Sequence, residues 1–152
     1  MVQRSAGILL YRAGPEFLLL HPGGPFWARK DEGAWTIPKV LVEPGEDTEV
    51  AARREFVEET GAEPPATLLA LGEFRQPSGK VIVAYAAEGA FEPTALRSST
   101  FELEWPRNSG RTITVPEADR AAWFARDEAL RRILRGQAPI VAALLDHLNR
   151  PA

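Results

Sequence analysis

No cysteine occurs among the 152 residues, which excludes disulfides, thiolate nucleophiles and zinc–thiolate sites. No apolar run approaches the roughly 20 residues that a bilayer-spanning helix requires, so no membrane partner is expected. A basic stripe is missing too. The 18 Lys and Arg are outnumbered by 21 Asp and Glu, and a formal net charge of −3 gives no footprint for duplex nucleic acid. The N-terminus has no basic segment followed by an apolar core and a cleavage site, so a cytoplasmic rather than a secreted protein is expected. No glycine-rich Walker loop is present, which excludes ATP-driven mechanical work of that kind. Repeats, linkers and low-complexity tracts are likewise absent, and one domain over residues 1–152 is expected, long enough to bury a substantial core.

What is present alternates between strand and helix patterns. Residues 5–11 and 17–21 read as strands separated by the turn composition Arg12-Ala13-Gly14-Pro15. Trp35-Thr36-Ile37-Pro38-Lys39 reads as a short strand stopping at its proline, and residues 40–47 as a loop holding Glu43, Pro44, Gly45 and Glu46. Residues 68–75 and 81–87 form a hairpin pattern around Pro77-Ser78-Gly79. Residues 93–111 are ambiguous, with a short strand candidate at Phe101-Glu102-Leu103-Glu104-Trp105, and residues 120–124 give a last strand. Two closing segments follow, 127–134 and 139–148. In the second, Ile140, Ala143, Leu144 and Leu148 repeat at helical spacing, with Pro139 in the first turn. The two histidines, His21 near an apolar strand and His147 on this apolar helix, are assigned structural roles.

The chemistry concentrates in Arg53-Arg54-Glu55-Phe56-Val57-Glu58-Glu59-Thr60-Gly61. On a helix turning about 100° per residue, Glu55, Glu58 and Glu59 share one arc of roughly 100°. Val50, Phe56 and Val57 are expected on the opposite, buried side. Asp47 or Thr48 can cap the first free amides, Gly61 suits a left-handed final residue, and Pro64-Pro65 bar continuation. Like charges at this spacing repel by about 0.2–0.5 kcal/mol per pair unless a cation sits among them. Magnesium or manganese, which prefer oxygen ligands, are the natural candidates. The alternative is a solvated acidic helix face.

This stretch resembles the Nudix hydrolases, whose signature runs Gly, five residues, Glu, seven residues, Arg-Glu-apolar-any-Glu-Glu-any-Gly-apolar. Glu46, Arg54, Glu55, Phe56, Glu58, Glu59, Gly61 and Ala62 occupy the matching positions at the matching spacing. The flanking residues 35–39 and 43–46 and the chain length resemble the family as well. The resemblance implies an α/β fold, a Nudix-like α/β/α sandwich with a mixed central sheet. It also implies a Mg2+- or Mn2+-dependent hydrolase that cuts a nucleoside diphosphate linked to another group. In that frame Glu46 and Arg54 are structural and pair across loop and helix.

One position departs from the pattern: the opening glycine is replaced by Val40. If that backbone needs a positive φ, a β-branched residue costs on the order of 1–3 kcal/mol and impairs the loop. If the backbone is ordinary, valine is tolerated. Val40 therefore keeps open a second class, a Nudix-like module that binds nucleotide or regulates a partner without turnover.

Glu55 and Glu59, about 6 Å apart along the axis, can grip one ion or bridge two, and Glu58 can join them or accept a water's proton. The family's additional downstream acid is matched to Glu117 in Pro116-Glu117-Ala118-Asp119, in preference to Glu102 and Glu104. Lys39, beside the site, is a candidate phosphate contact or an exposed lysine. Arg29 and Trp27 are candidate substrate contacts, the first for phosphate and the second for stacking on a base. Arg75, Lys80, Arg97, Arg107 and Arg111 are further available cations. The expected partner is a nucleotide-type small molecule; oligomeric state is not legible.

Overall fold

A computed structural model describes residues 3–150. Strands β1 (Arg4–Arg12), β2 (Glu16–Pro22), β4 (Leu69–Arg75), β5 (Val81–Glu88) and β8 (Ala118–Ala125) lie side by side in the order β4-β5-β1-β2-β8. The β1–β5 pair is parallel, running from Arg4↔Val81 to Tyr11↔Glu88, and the other pairs are antiparallel, so the sheet is mixed. Long apolar runs such as Ile8-Leu9-Leu10 and Phe17-Leu18-Leu19-Leu20 sit at its centre, because both faces there are covered.

The other edge of β1 is split. β2 pairs with it only at Tyr11 and Arg12, while β3 (Lys39–Leu41) pairs with it at Ser5, Ala6 and Gly7. The segment from Trp35 to Leu41 wedges between the two strands: Thr36 exchanges backbone hydrogen bonds with Leu20 on β2 at 2.8 and 2.9 Å, and β3 then takes up β1. The strand expected over residues 35–39 is thus displaced past Pro38. Proline has no N–H for a ladder, so pairing resumes beyond it.

Helix α1 (Thr48–Thr60) covers one face of the sheet, and α2 (Arg126–Arg132) with α3 (Ala138–Leu148) covers the other. Under α2 and α3 lie Leu9, Phe17, Leu19, Trp35, Ile37, Ile82, Ile133, Ile140, Val141 and Leu144. Under α1 lie Ala6, Ile8, Leu10, Leu18, Ala51, Ala52, Phe56 and Ala87. The result is the α/β/α sandwich expected from the sequence. Among the described residues no helix is long and apolar enough to cross a membrane.

A separate hairpin of β6 (Thr100–Glu104) and β7 (Thr112–Pro116) stands off the main sheet. The Thr-Ile-Thr-Val alternation of β7 is a strand signal lying just past the ambiguous residues 93–111.

Candidate active site

Helix α1 starts where Asp47 caps it, its carboxylate accepting the Val50 N–H at 3.0 Å. It ends where Gly61 turns left-handed, φ 79°, and its N–H reaches the Val57 carbonyl at 2.8 Å. A Cβ on Gly61 would lie 2.7 Å from Cβ of Arg97, so only glycine lets the following loop pass this close.

The buried arc of α1 differs from the expected one. Ala51, Ala52, Phe56 and Thr60 are buried, and so is Glu55, only 7% exposed; Val50 is 56% exposed and Val57 half-buried. The alanines let the helix sit close to the sheet, and that contact is centred between Ala52 and Phe56. Glu59 projects roughly 60° from Phe56 and Glu55 roughly 100°, on the same side as Ala52. The acidic and buried arcs therefore overlap instead of opposing each other, and of the three acids only Glu58 is exposed.

That overlap shapes the electrostatics. Burial, then the charges of Glu58 and Glu117, pushes the Glu55 carboxyl up to about 7, against opposing pulls from Arg54 and Lys39. Burial, then Glu55 and Glu117, pushes Glu59 up to about 8, with Lys39 acting against it. Glu117, distant in sequence, thus lies close enough to both helix acids to disfavour their charged forms. Glu102 and Glu104 do not join them. Glu102 accepts from the Thr114 hydroxyl at 2.6 Å, and Glu104 accepts the Asn108 and Gly110 amides at 3.2 Å, closing the hairpin turn.

Glu117 is tied to α1 through backbone. Ser99 N–H donates to the Glu58 carbonyl at 2.8 Å, and Glu117 N–H donates to the Ser99 carbonyl at 2.8 Å. From the loop before α1, Glu46 forms an ion pair with Arg54 on the helix and also accepts the Glu43 N–H at 3.2 Å. These bonds hold the Glu46 carboxyl below its usual range, the Arg54 bond first. Arg54 further approaches Glu58 at 3.9 Å.

Val40 has no special backbone. It pairs with Ala6 in β3, and the positive-φ non-glycine residue among those described is Asn108. Close approach is instead required at Gly7, where a Cβ would meet the Pro38 carbonyl oxygen at 2.5 Å.

Half-buried Lys39 faces both elevated acids and also lines a cleft of about 360 Å³ with Ser5, Lys80, Ile82, Arg135 and Gln137. Gln137 is buried; its Oε1 accepts the Ile37 N–H at 3.0 Å and its Nε2 donates to Thr36 Oγ1 at 2.8 Å, fixing the chain just ahead of Lys39. Arg135 and Gln137 carry no local signal in the sequence, because they reach the site only through the packing of residues about a hundred positions apart.

Trp27 and Arg29 are not brought to the acids. Trp27 packs against the core beneath α2 and α3, edge-on to Phe26 at 5.1 Å. Arg29 is exposed and forms no ion pair or side-chain hydrogen bond among the described residues. Tyr85 bonds Thr48 Oγ1 at 2.6 Å.

The chemistry of the donor set fits a hard divalent cation. It is carboxylate oxygen throughout, with like charges that a cation would relieve. Among the described residues no three His, Cys, Asp or Glu side chains are already drawn together around a metal position.

The family model for the NUDIX domain matches residues 1–144. The chain belongs to this family. The NUDIX chain is 45% identical over 56 residues to an RNA pyrophosphohydrolase of Caulobacter vibrioides, a match spanning 34% of this chain and only 33% of that relative's length. Among solved structures it is similar to an Ap4A hydrolase binary complex from C. elegans (TM-score 0.64, 21% identity, 95% of this chain and 97% of that one). It is also similar to the NUDIX domain of Shewanella oneidensis NrtR complexed with ADP ribose (TM-score 0.67, 17% identity, 98% and 90%). The E. coli ORF135 protein is a third (TM-score 0.61, 25% identity, 99% and 94%).

Proposed function

We propose that this NUDIX domain is a divalent-metal-dependent pyrophosphohydrolase. It cleaves a diphosphate linkage in a nucleoside diphosphate derivative, a nucleoside triphosphate, a dinucleoside polyphosphate or a similar compound, with water attacking phosphorus. The observation that carries this reading is that two neighbouring helix acids, Glu55 and Glu59, are both disfavoured as anions by burial and by the charge of Glu117, beside Lys39. A protein that did not use a cation there would gain stability by losing one of these acids.

Glu55, Glu59 and Glu117 hold Mg2+ or Mn2+, with Glu58 at the solvent margin completing the set. The ion supplies neutralisation of the diphosphate and a more acidic water. The chain's own contribution is placement. The Glu46–Arg54 pair anchors the loop ahead of the acids, and the Ser99 backbone ties Glu117 to α1. Lys39, with Lys80 and Arg135 across the cleft, offers positive charge to the phosphates. The 45% identity over 56 residues to an RNA pyrophosphohydrolase is in keeping with this reading. Val40 in ordinary strand backbone removes the sequence-based argument for a binding module without turnover.

The test is phosphate release from a panel of nucleoside triphosphates, dinucleoside polyphosphates and nucleotide sugars, with and without magnesium. Metal-dependent release from at least one compound is expected. Binding of a compound without release from any would overturn the proposal.

A further inference from the structure

Glu117 is the single residue between β7 and β8 and is exposed, so its carboxylate can face the helix acids only if its backbone is fixed. The end of β2 fixes it. Gly23 N–H donates to the Glu117 carbonyl at 3.2 Å. A Cβ on Gly23 would lie 2.1 Å from the Pro116 carbonyl oxygen, so backbone runs against backbone with no room for a side chain. Two residues earlier, His21 is 0% exposed, with Nδ1 2.9 Å from Asp119 Oδ1 and Nε2 2.6 Å from the Lys30 carbonyl. Both partners, a carboxylate and a carbonyl, are acceptors, so each ring nitrogen is placed where it can donate. Trp35 stands edge-on at 5.2 Å and sets the plane of the ring. The β2–β8 register steps from His21↔Arg120 to Pro22↔Ala118, which leaves Asp119 out of the ladder, its side chain bonded to His21.

We propose that His21 is a positioning residue for the hydrolytic site. Acting through Asp119, and together with the Gly23 amide, it clamps residues 116–119 so that Glu117 faces Glu55 and Glu59. The inference rests on the reading of Glu117 as a metal-holding acid. The buried imidazole thereby has a task besides filling space, since its two hydrogen bonds join the 24–30 loop to the segment that carries Glu117.

Substitution of a fully buried histidine risks the fold, so the test is placed on Asp119, whose side chain is 34% exposed. D119A is expected to lower both kcat and Mn2+ affinity, the latter read from the paramagnetic signal of free manganese without substrate. The fall is roughly 10- to 100-fold, as for lost partners of metal-site residues. KM and melting temperature should stay close to wild type. D119N, which keeps an acceptor for His21, should recover most of the loss. In an E117Q background D119A should have almost no further effect, because what it positions is gone. An equal loss from D119A with and without Glu117, or wild-type values for D119A beside an impaired E117Q, would overturn the clamp while sparing the role of Glu117. A wild-type E117Q would remove that role, and the clamp with it.

Discussion

The two faces of the central sheet are built from different material. Beneath α2 and α3 the sheet buries Trp35, Phe17, Ile133, Ile140, Val141 and Leu144, large side chains interlocked around one apolar layer. Beneath α1 it buries Ala51, Ala52 and Phe56 from the helix, and Glu55 is drawn in beside them. The first face is assembled for burial, since each fully buried large aliphatic contributes about 1.5–3 kcal/mol. The second gives up some of that gain to hold two carboxylates at the margin of an apolar layer, where neither is comfortable as an anion. Stability and chemistry are thus allotted to opposite sides of the same strands.

The sharpest way to break this contrast is E59Q. It should lower kcat about 10²- to 10⁴-fold, the range associated with loss of a group central to proton transfer or charge placement. The metal-free protein should melt higher than wild type, because an elevated, repelled carboxyl has gone. Steady-state kinetics and thermal melting read the two effects, and a lower melting temperature would contradict the account of this face. The opposite face predicts the converse. L144A or I140A should cost about 2–5 kcal/mol in chemical denaturation while leaving kcat per folded molecule unchanged.

A smaller effect follows from pH. Glu55 and Glu59 titrate near 7 and 8 in the folded protein against 4.5 for a free glutamate, so the folded state binds their protons more tightly. Their contribution to stability is therefore fully present below about pH 4.5 and is lost as pH climbs through 7 and 8. Metal-free protein should lose melting temperature between pH 6 and 9, and magnesium should raise that temperature more at pH 9 than at pH 6. Smallest of all, V40G should leave turnover with magnesium within about twofold of wild type and cost roughly 0.5–1 kcal/mol of stability, as glycine does within a strand. A clear rise in turnover would show that valine impairs the loop after all.

Much of this arrangement is legible in the sequence because it is local. The caps Asp47 and Gly61, the spacing of the glutamates and the apolar runs of β1 and β2 each depend on residues within a few positions of one another. Elsewhere tertiary contact decides. Helical periodicity defines the acid arc of α1, but not where the sheet touches the helix, and the alanines brought that contact round to Glu55 and away from Val50. Pro38 marks a break in pairing, though not on which side the longer ladder lies. Glu117 is proposed from its distance to Trp123-Phe124, whereas Arg135 and Gln137 have no neighbouring signal. Trp27 and Arg29, proposed from residue type alone, lie with the core and the solvent.

The divided edge of β1 has one more consequence. Because the chain from Trp35 to Leu41 is threaded between β1 and β2, the sheet is no unbroken wall at that point, and Lys39 is in touch with the acids of one layer and the cleft of the other. A mutation among Lys80, Arg135 and their neighbours can retune which compound is selected while the carboxylates that break the bond stay as they are. Selectivity and bond-breaking are left free to evolve as separate traits of one small scaffold.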